Sequence, residues 1–195
     1  MKRKIFFPTL LFVFPFIIAA QSTAKEWYNK GIELKRKQDY AGALAAFRNA
    51  ISKKADYSEA YYQAGWCCNE LEKYEDAIGL LKKYMPVSNA DKKNKHNQLG
   101  FSYYKLQRAT EAIIEYKNTI GLFPNDGIAL RGLGNVYYEI AEDHDNAIEY
   151  FEKAIKEDEE DSKPVYYKLG WLYNDKERYD DAIKILLKAI DYDSE

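Results

Sequence analysis

Five glycines set the frame of this chain: Gly31, Gly65, Gly100, Gly134 and Gly170, spaced 34, 35, 34 and 36 residues apart. About twelve residues after each stands an alanine: Ala43, Ala77, Ala112, Ala147 and Ala182. Four residues further on comes a large apolar side chain, Phe47, Leu81, Tyr116, Phe151 or Leu186. Three beyond that sits Ala50, Tyr84, Thr119, Ala154 or Ala189. Registers held in phase over five periods mean a stack of similar units, each burying its apolar face against the next.

Each unit reads as two helices. In the first half, apolar residues recur at helical spacing, as in Leu99, Tyr103 and Leu106 or Leu133, Tyr137 and Ile140. The second half does the same in Ala182, Ile185, Leu186, Ala189 and Ile190. Short polar stretches such as Asp39-Tyr40, Lys73-Tyr74 and Arg178-Tyr179 separate the halves. A glycine inside a helix costs about 1 kcal/mol relative to alanine, so its recurrence needs a cause. Close approach supplies one: the missing side chain lets the second helix pack onto the first, and the alanine serves the same contact from the other side.

On these residues the chain resembles the tetratricopeptide repeat family, whose pattern runs W-x2-L-G-x2-Y, then A-x3-F, then P. Leu99-Gly100 with Tyr103, Ala112, Tyr116 and Pro124 follow it, as do Leu133-Gly134 with Tyr137 and Leu169-Gly170 with Tyr173, and Trp27 stands at the tryptophan position before Gly31. Many of the 18 tyrosines belong to this pattern. Repeat 2 departs from it, with Cys68 for the usual tyrosine and Tyr84 for a small residue. Single-residue insertions fall in the turn near Glu142–Asp145 and at the 2–3 and 4–5 junctions. The resemblance implies an all-α, right-handed α-solenoid of about five helix–turn–helix repeats, near 24–57, 58–92, 93–126, 127–162 and 163–195, within a repeat domain 21–195.

The first twenty residues have a different character. Met1-Lys2-Arg3-Lys4 precedes an apolar run from Ile5 to Ile18 and then small and polar residues. That is the layout of a secretory signal peptide, 1–20. The run holds Pro8 and Pro15 and is shorter than the roughly 20 residues a membrane span needs. Cleavage is expected after Ala20, with Ser22 and Ala24 as alternatives. It removes three basic residues and no acidic ones, taking the net charge from −2 to −5. The expected location is a bacterial periplasm or the exterior, with no stable membrane span after cleavage. The near-balance of 29 basic and 31 acidic residues argues against a nucleic-acid binder. Two cysteines, Cys67 and Cys68, are too few for a disulfide scaffold; they read as buried thiols, with an intermolecular bridge from Cys67 as the alternative.

No catalytic or metal constellation stands out. His96 and His144 have no nucleophile at a defensible spacing. Glu142, Asp143, His144 and Asp145 lack the ordered ligand spacing of a calcium loop and read as a solvated turn. Glu157–Asp161 reads as a solvated acidic linker. Gly132 and Gly134 lie within a helix and form no phosphate loop. We therefore expect no enzyme and no cofactor.

In the family, ligands lie in the concave groove lined by the first helix of each repeat. The resemblance carries that groove onto Tyr28, Ile32 and Lys35; Tyr62, Trp66 and Asn69; Asn97, Phe101 and Tyr104; Arg131, Asn135 and Tyr138; and Tyr167, Trp171 and Asn174. Within each set the residues share one helical face. Aromatic rings supply contact area with few rotors, and asparagine can bond both edges of an extended peptide. The implied function is a non-enzymatic scaffold holding a peptide or protein partner. The competing reading has Trp66 and Trp171 merely packing against neighbouring repeats. Arg131 and Asn135 imitate one element of the carboxylate clamp found in chaperone-binding members, but the full clamp is absent. Other readings are a self-assembling structural envelope protein, associating through an uncapped C-terminal end, or an N-terminal module of a longer multidomain protein.

Overall fold

The computed structural model describes residues 22–157 and 163–193. The proposed signal peptide and most of the acidic run 157–161 lie outside the described residues. Among those described, the chain is helical with no strand. The helices run in pairs: α1 (Ala24–Arg36) with α2 (Tyr40–Lys53), α3 (Ser58–Glu70) with α4 (Tyr74–Lys83), α5 (Asn89–Lys105) with α6 (Ala109–Leu122), α7 (Gly127–Glu139) with α8 (His144–Glu157), and α9 (Tyr166–Asp175) with α10 (Tyr179–Asp193). A short 3-10 turn, Lys163–Val165, leads into α9. Contacts between helices join the two members of a pair or adjacent repeats, so the fold is an all-α solenoid.

The repeat glycines do what their spacing predicts. A Cβ placed on Gly31 would lie 2.5 Å from the Phe47 ring, on Gly65 2.7 Å from Leu81, on Gly100 2.8 Å from Tyr116, on Gly134 2.5 Å from Phe151, and on Gly170 2.6 Å from Leu186. The large residue of each second helix therefore sits directly on the backbone of the first. Phe47, Leu81 and Phe151 are fully buried there, and each such burial contributes about 1.5–3 kcal/mol. The pairs merge into one apolar core running from Ala43 in α2 to Ala189 in α10.

The turn inside each repeat is closed by a device that leaves no glycine in the sequence. Gln38, Glu72, Gln107, Glu142 and Glu177 adopt left-handed backbone, with φ from 51° to 61°. In four repeats the amide of the next residue reaches back to the first helix: Asp39 N–H donates to the Leu34 carbonyl at 3.0 Å, Lys73 to Cys68 at 2.8 Å, Arg108 to Tyr103 at 2.9 Å and Arg178 to Tyr173 at 2.8 Å. This satisfies carbonyls that a helix end leaves open. Repeat 4 accommodates its extra residue by a longer reach, Asp143 N–H to the Tyr137 carbonyl at 2.9 Å.

Cys67 and Cys68 are free, unbonded and fully buried. Burial pushes the Cys67 thiol up to about 12, so it stays protonated and unreactive at neutral pH. A bridge from it to another chain is out of reach while the repeat is folded.

Gly134→Ala forces the Phe151 ring to move and should cost about 1–3 kcal/mol through overpacking. Urea unfolding of the two proteins side by side measures it; an unchanged midpoint would contradict the packing described.

Candidate functional site

The first helices α1, α3, α5, α7 and α9 lie side by side: α3 touches α5 and α5 touches α7. They present one shared face, and it is crossed by polar bonds from each repeat to the next. The Lys35 ammonium donates to Gln63 Oε1 at 2.9 Å and sits 3.7 Å from the centre of the Trp66 ring. Asn69 Nδ2 donates to Gln98 Oε1 at 2.8 Å, and Ser102 Oγ donates to Asn69 Oδ1 at 2.7 Å. The Tyr104 hydroxyl donates to Glu139. Lys168 donates to Asn135 Oδ1 at 2.7 Å and to Glu139 at 2.5 Å.

Rings are shared the same way. The residue just after each repeat glycine packs edge-on against the residue that opens the preceding repeat's second helix. Trp66 meets Tyr40 at 5.4 Å, Phe101 meets Tyr74 at 6.1 Å, and Trp171 meets His144 at 5.4 Å. In repeat 4 the same place holds Asn135, opposite Ala109, and the ring contact is skipped.

These contacts sort the sequence-predicted residues. Asn69 and Asn97 are only 4% and 7% exposed. Asn69 spends its amide on α5, and Asn97 donates to Asp126 at 3.0 Å. Both hold the stack together rather than face a partner: the next repeat lies over them, which a single helix's periodicity does not reveal. Tyr28 stacks on Tyr57 at 5.1 Å, and Tyr62 tilts against Tyr84 at 5.2 Å, both half-buried. Trp66 is held between Tyr40 and Lys35. The remainder keep part of their surface open: Phe101, Tyr104, Arg131, Asn135 and Tyr138 are half-buried, while Tyr167, Trp171 and Asn174 are exposed. Tyr138 and Trp171 meet at 6.0 Å. Arg131 keeps a buried guanidinium nitrogen, Nη1, without a hydrogen-bond partner.

Sequence reasoning missed Asp126. Its carboxylate caps α7 by accepting from Ala129 N–H at 3.0 Å, takes the Asn97 amide, and pairs with Lys93 at 3.1 Å. Burial pushes this carboxyl up, but the bonds from Ala129, Asn97 and Lys93 outweigh it and hold it below its ordinary 3.8. Glu139 is likewise raised by burial and lowered further by Lys168 and Tyr104. A helix-capping Asp was the available signal, since it precedes the α7 periodicity directly.

The turn considered for a cation has other partners. Asp143 accepts from Asn146, His144 lies 3.2 Å from Asp175, and Asp145 pairs with Lys176 at 2.7 Å. His96 lies 2.6 Å from Glu115, bridging α5 and α6. Among the described residues no cluster of three or more His, Cys, Asp and Glu is placed to hold a metal, and no helix is long and apolar enough to cross a membrane.

Paired helices, stacked side by side with a shared aromatic face, define a helical-repeat scaffold. Tetratricopeptide repeat family profiles match residues 28–88, 97–162 and 140–195. The chain belongs to the tetratricopeptide repeat family and is a scaffold of the kind that serves protein–protein interaction. It is 26% identical over 125 residues to anaphase-promoting complex subunit 3 of Schizosaccharomyces pombe, covering 64% of this chain and 18% of that protein. The chain thus spans about a fifth of the length of the curated relatives it matches. Among solved structures it resembles MamA, with 26% identity, a TM-score of 0.73, and coverage of 84% of this chain and 94% of MamA. It also resembles YrrB, described as a TPR protein with an unusual peptide-binding site, with 25% identity, a TM-score of 0.67, and coverage of 86% and 85%.

Because the folded Asp126 titrates below its unfolded value, its stabilisation is complete above about pH 4 and is lost as the pH falls further. Asp126→Ala should cost about 1–3 kcal/mol at neutral pH, from the lost cap and the unpaired Asn97. The gap to wild type should narrow in unfolding measurements taken at successively lower pH below 4; a gap independent of pH would contradict this role.

Proposed function

We propose that the face shared by the first helices holds an extended segment of a protein partner, chiefly across repeats 3 to 5. One observation carries the reading. Phe101, Tyr104, Asn135, Tyr138 and Trp171 keep open surface while bonds and ring contacts to the neighbouring repeats fix their orientation. Rings that are already immobilised lose little rotamer freedom when a partner covers them. Arg131, half-buried on the same face, adds a cation suited to an acidic side chain or a terminal carboxylate. The peptide-binding site named for YrrB supports the class of ligand, not its identity.

We further propose that the protein works outside the cytoplasmic membrane. This rests on the first twenty residues alone: a basic start, a short apolar run broken by Pro8 and Pro15, and a small-residue exit.

One capture experiment tests both. Wild type and an Arg131→Ala/Tyr138→Ala variant are expressed from the full reading frame and recovered from an envelope extract. The variant should keep its helicity but lose a partner that wild type retains, and the recovered chain should lack about 20 residues at its start. Equal capture by both proteins would contradict the groove. A recovered chain that still begins at Met1 would contradict export.

A further inference from the structure

The junction between repeats 2 and 3 is built unlike the junctions on either side of it. α2, α6 and α8 are each 14 residues long, whereas α4 stops at Lys83 after 10. Pro86 is the cause. A proline disfavours helical backbone in the residue before it, here Met85, and has no N–H with which to continue a helix. Tyr84 turns out of the helix into extended backbone, with φ −67° and ψ 127°. A strap, 84–88, then carries the chain to α5.

The strap is held at three points. Lys95 donates to the Tyr84 carbonyl at 2.9 Å. Ser58 Oγ, at the start of α3, accepts from Met85 N–H at 2.9 Å and donates to the Met85 carbonyl at 3.1 Å. Ser88 caps α5 by accepting from Asp91 N–H at 3.1 Å. Tyr84 is buried, but Met85 and Val87 are 76% and 92% exposed, the most open large apolar side chains among the described residues. The counterparts of Met85, namely Ile51, Ile120 and Ile155, are still inside their helices and half-buried. Repeats 2 and 3 both flank the strap, so no neighbouring repeat is missing from over these two side chains.

Lysines surround the two tips. Lys82, Lys83 and Met85 share one cleft with Asp56, Ser58 and Tyr61. Lys53 and Lys54 lead into the loop before α3, and Lys92 lies in the first turn of α5. All five lysines are exposed, and no described ion pair uses any of them. Against them stand Asp56, Glu59 and Asp91, so five cations face three anions at this edge of a chain whose net charge is negative. The turns at the opposite ends of the helices are acidic, with Glu72, Glu75 and Asp76 in repeat 2 and Glu142, Asp143 and Asp145 in repeat 4. Lysines at the end of α4 complement its dipole and need no partner to explain them. Two bare apolar side chains among them do need one.

A protein partner fits this edge poorly. A stable protein interface covers about 800 Å² on each side around an apolar centre, whereas here two side chains protrude singly between charges. A bilayer surface needs no matching shape: apolar tips enter the acyl boundary while ammonium groups meet anionic headgroups. We propose that the 84–88 strap is a membrane-docking tip. It seats this edge of the array on a bilayer bearing anionic headgroups, lying on the membrane and not spanning it. The strap contributes no residue to the groove, so the two readings stand apart.

The test is co-sedimentation of the chain, recovered from the full reading frame, with large unilamellar vesicles. One set is phosphatidylcholine alone and the other equal parts phosphatidylcholine and phosphatidylglycerol. Wild type should partition onto the anionic vesicles and at least about tenfold less onto the neutral ones. Met85→Ser/Val87→Ser and Lys82→Gln/Lys83→Gln should each weaken that partition by at least about tenfold. Circular dichroism should show both variants folded, since the four side chains are exposed. No partition of wild type would overturn the proposal. So would equal partition of wild type and both variants, the result expected if an uncleaved run 5–18 were what binds. Loss in the lysine variant alone would also contradict it, because the tips would then not enter the bilayer. A wild-type dimer that Met85→Ser/Val87→Ser splits into monomers would make a second copy the occupant and overturn it as well. The groove variant Arg131→Ala/Tyr138→Ala should partition as wild type does, which separates failure of this proposal from failure of the groove.

Discussion

The spacing of this molecule depends on one contact made five times: a helix without a Cβ, and a large side chain of the partner helix lying on the bare backbone. At Gly31 and Gly134 the intruding ring comes within 2.5 Å of where a Cβ would be. That approach fixes the distance between the two helices of a repeat. The distance in turn decides where the next repeat's first helix rests, so one local steric fact is propagated along the array. No repeat has a core of its own; the apolar cluster is continuous from α2 to α10.

The shared face shows the consequence for function. Its side chains join neighbouring repeats with one edge and show surface with the other. Trp171 leans on His144 and Tyr138, and Tyr104 is tied to Glu139. In the function proposed here, stability and recognition draw on the same residues, and the open surface is presented without the entropy of loose side chains. Where the face is wholly consumed, as at Asn69 and Asn97, it contributes to the stack alone.

Much of this was legible in the sequence. The Gly, Ala and large-residue registers gave the helix pairs, and the matching contacts are present at all five positions. The carboxamides were not legible, because helical periodicity assigns a face without saying whether a neighbour lies over it. Gly132 was passed over as incidental, yet a Cβ there would lie 2.4 Å from the Tyr116 ring, which reaches across from the preceding repeat. The left-handed turn residues were invisible because Gln and Glu, not Gly or Asn, occupy them. At Asp126 the sequence signals a helix cap but not the Asn97 and Lys93 partners that reach it from α5.

The central claim is that each repeat is stabilised by its neighbours; among the described residues α10 has no helix against its outer side. Amide hydrogen exchange, resolved by helix, tests this most directly. Protection should be greatest in α3 to α8 and should fall in α10, whose backbone is paired within its own helix but whose outer side chains are open. Equal protection of α10 and α6, in protein shown to be monomeric, would contradict the account.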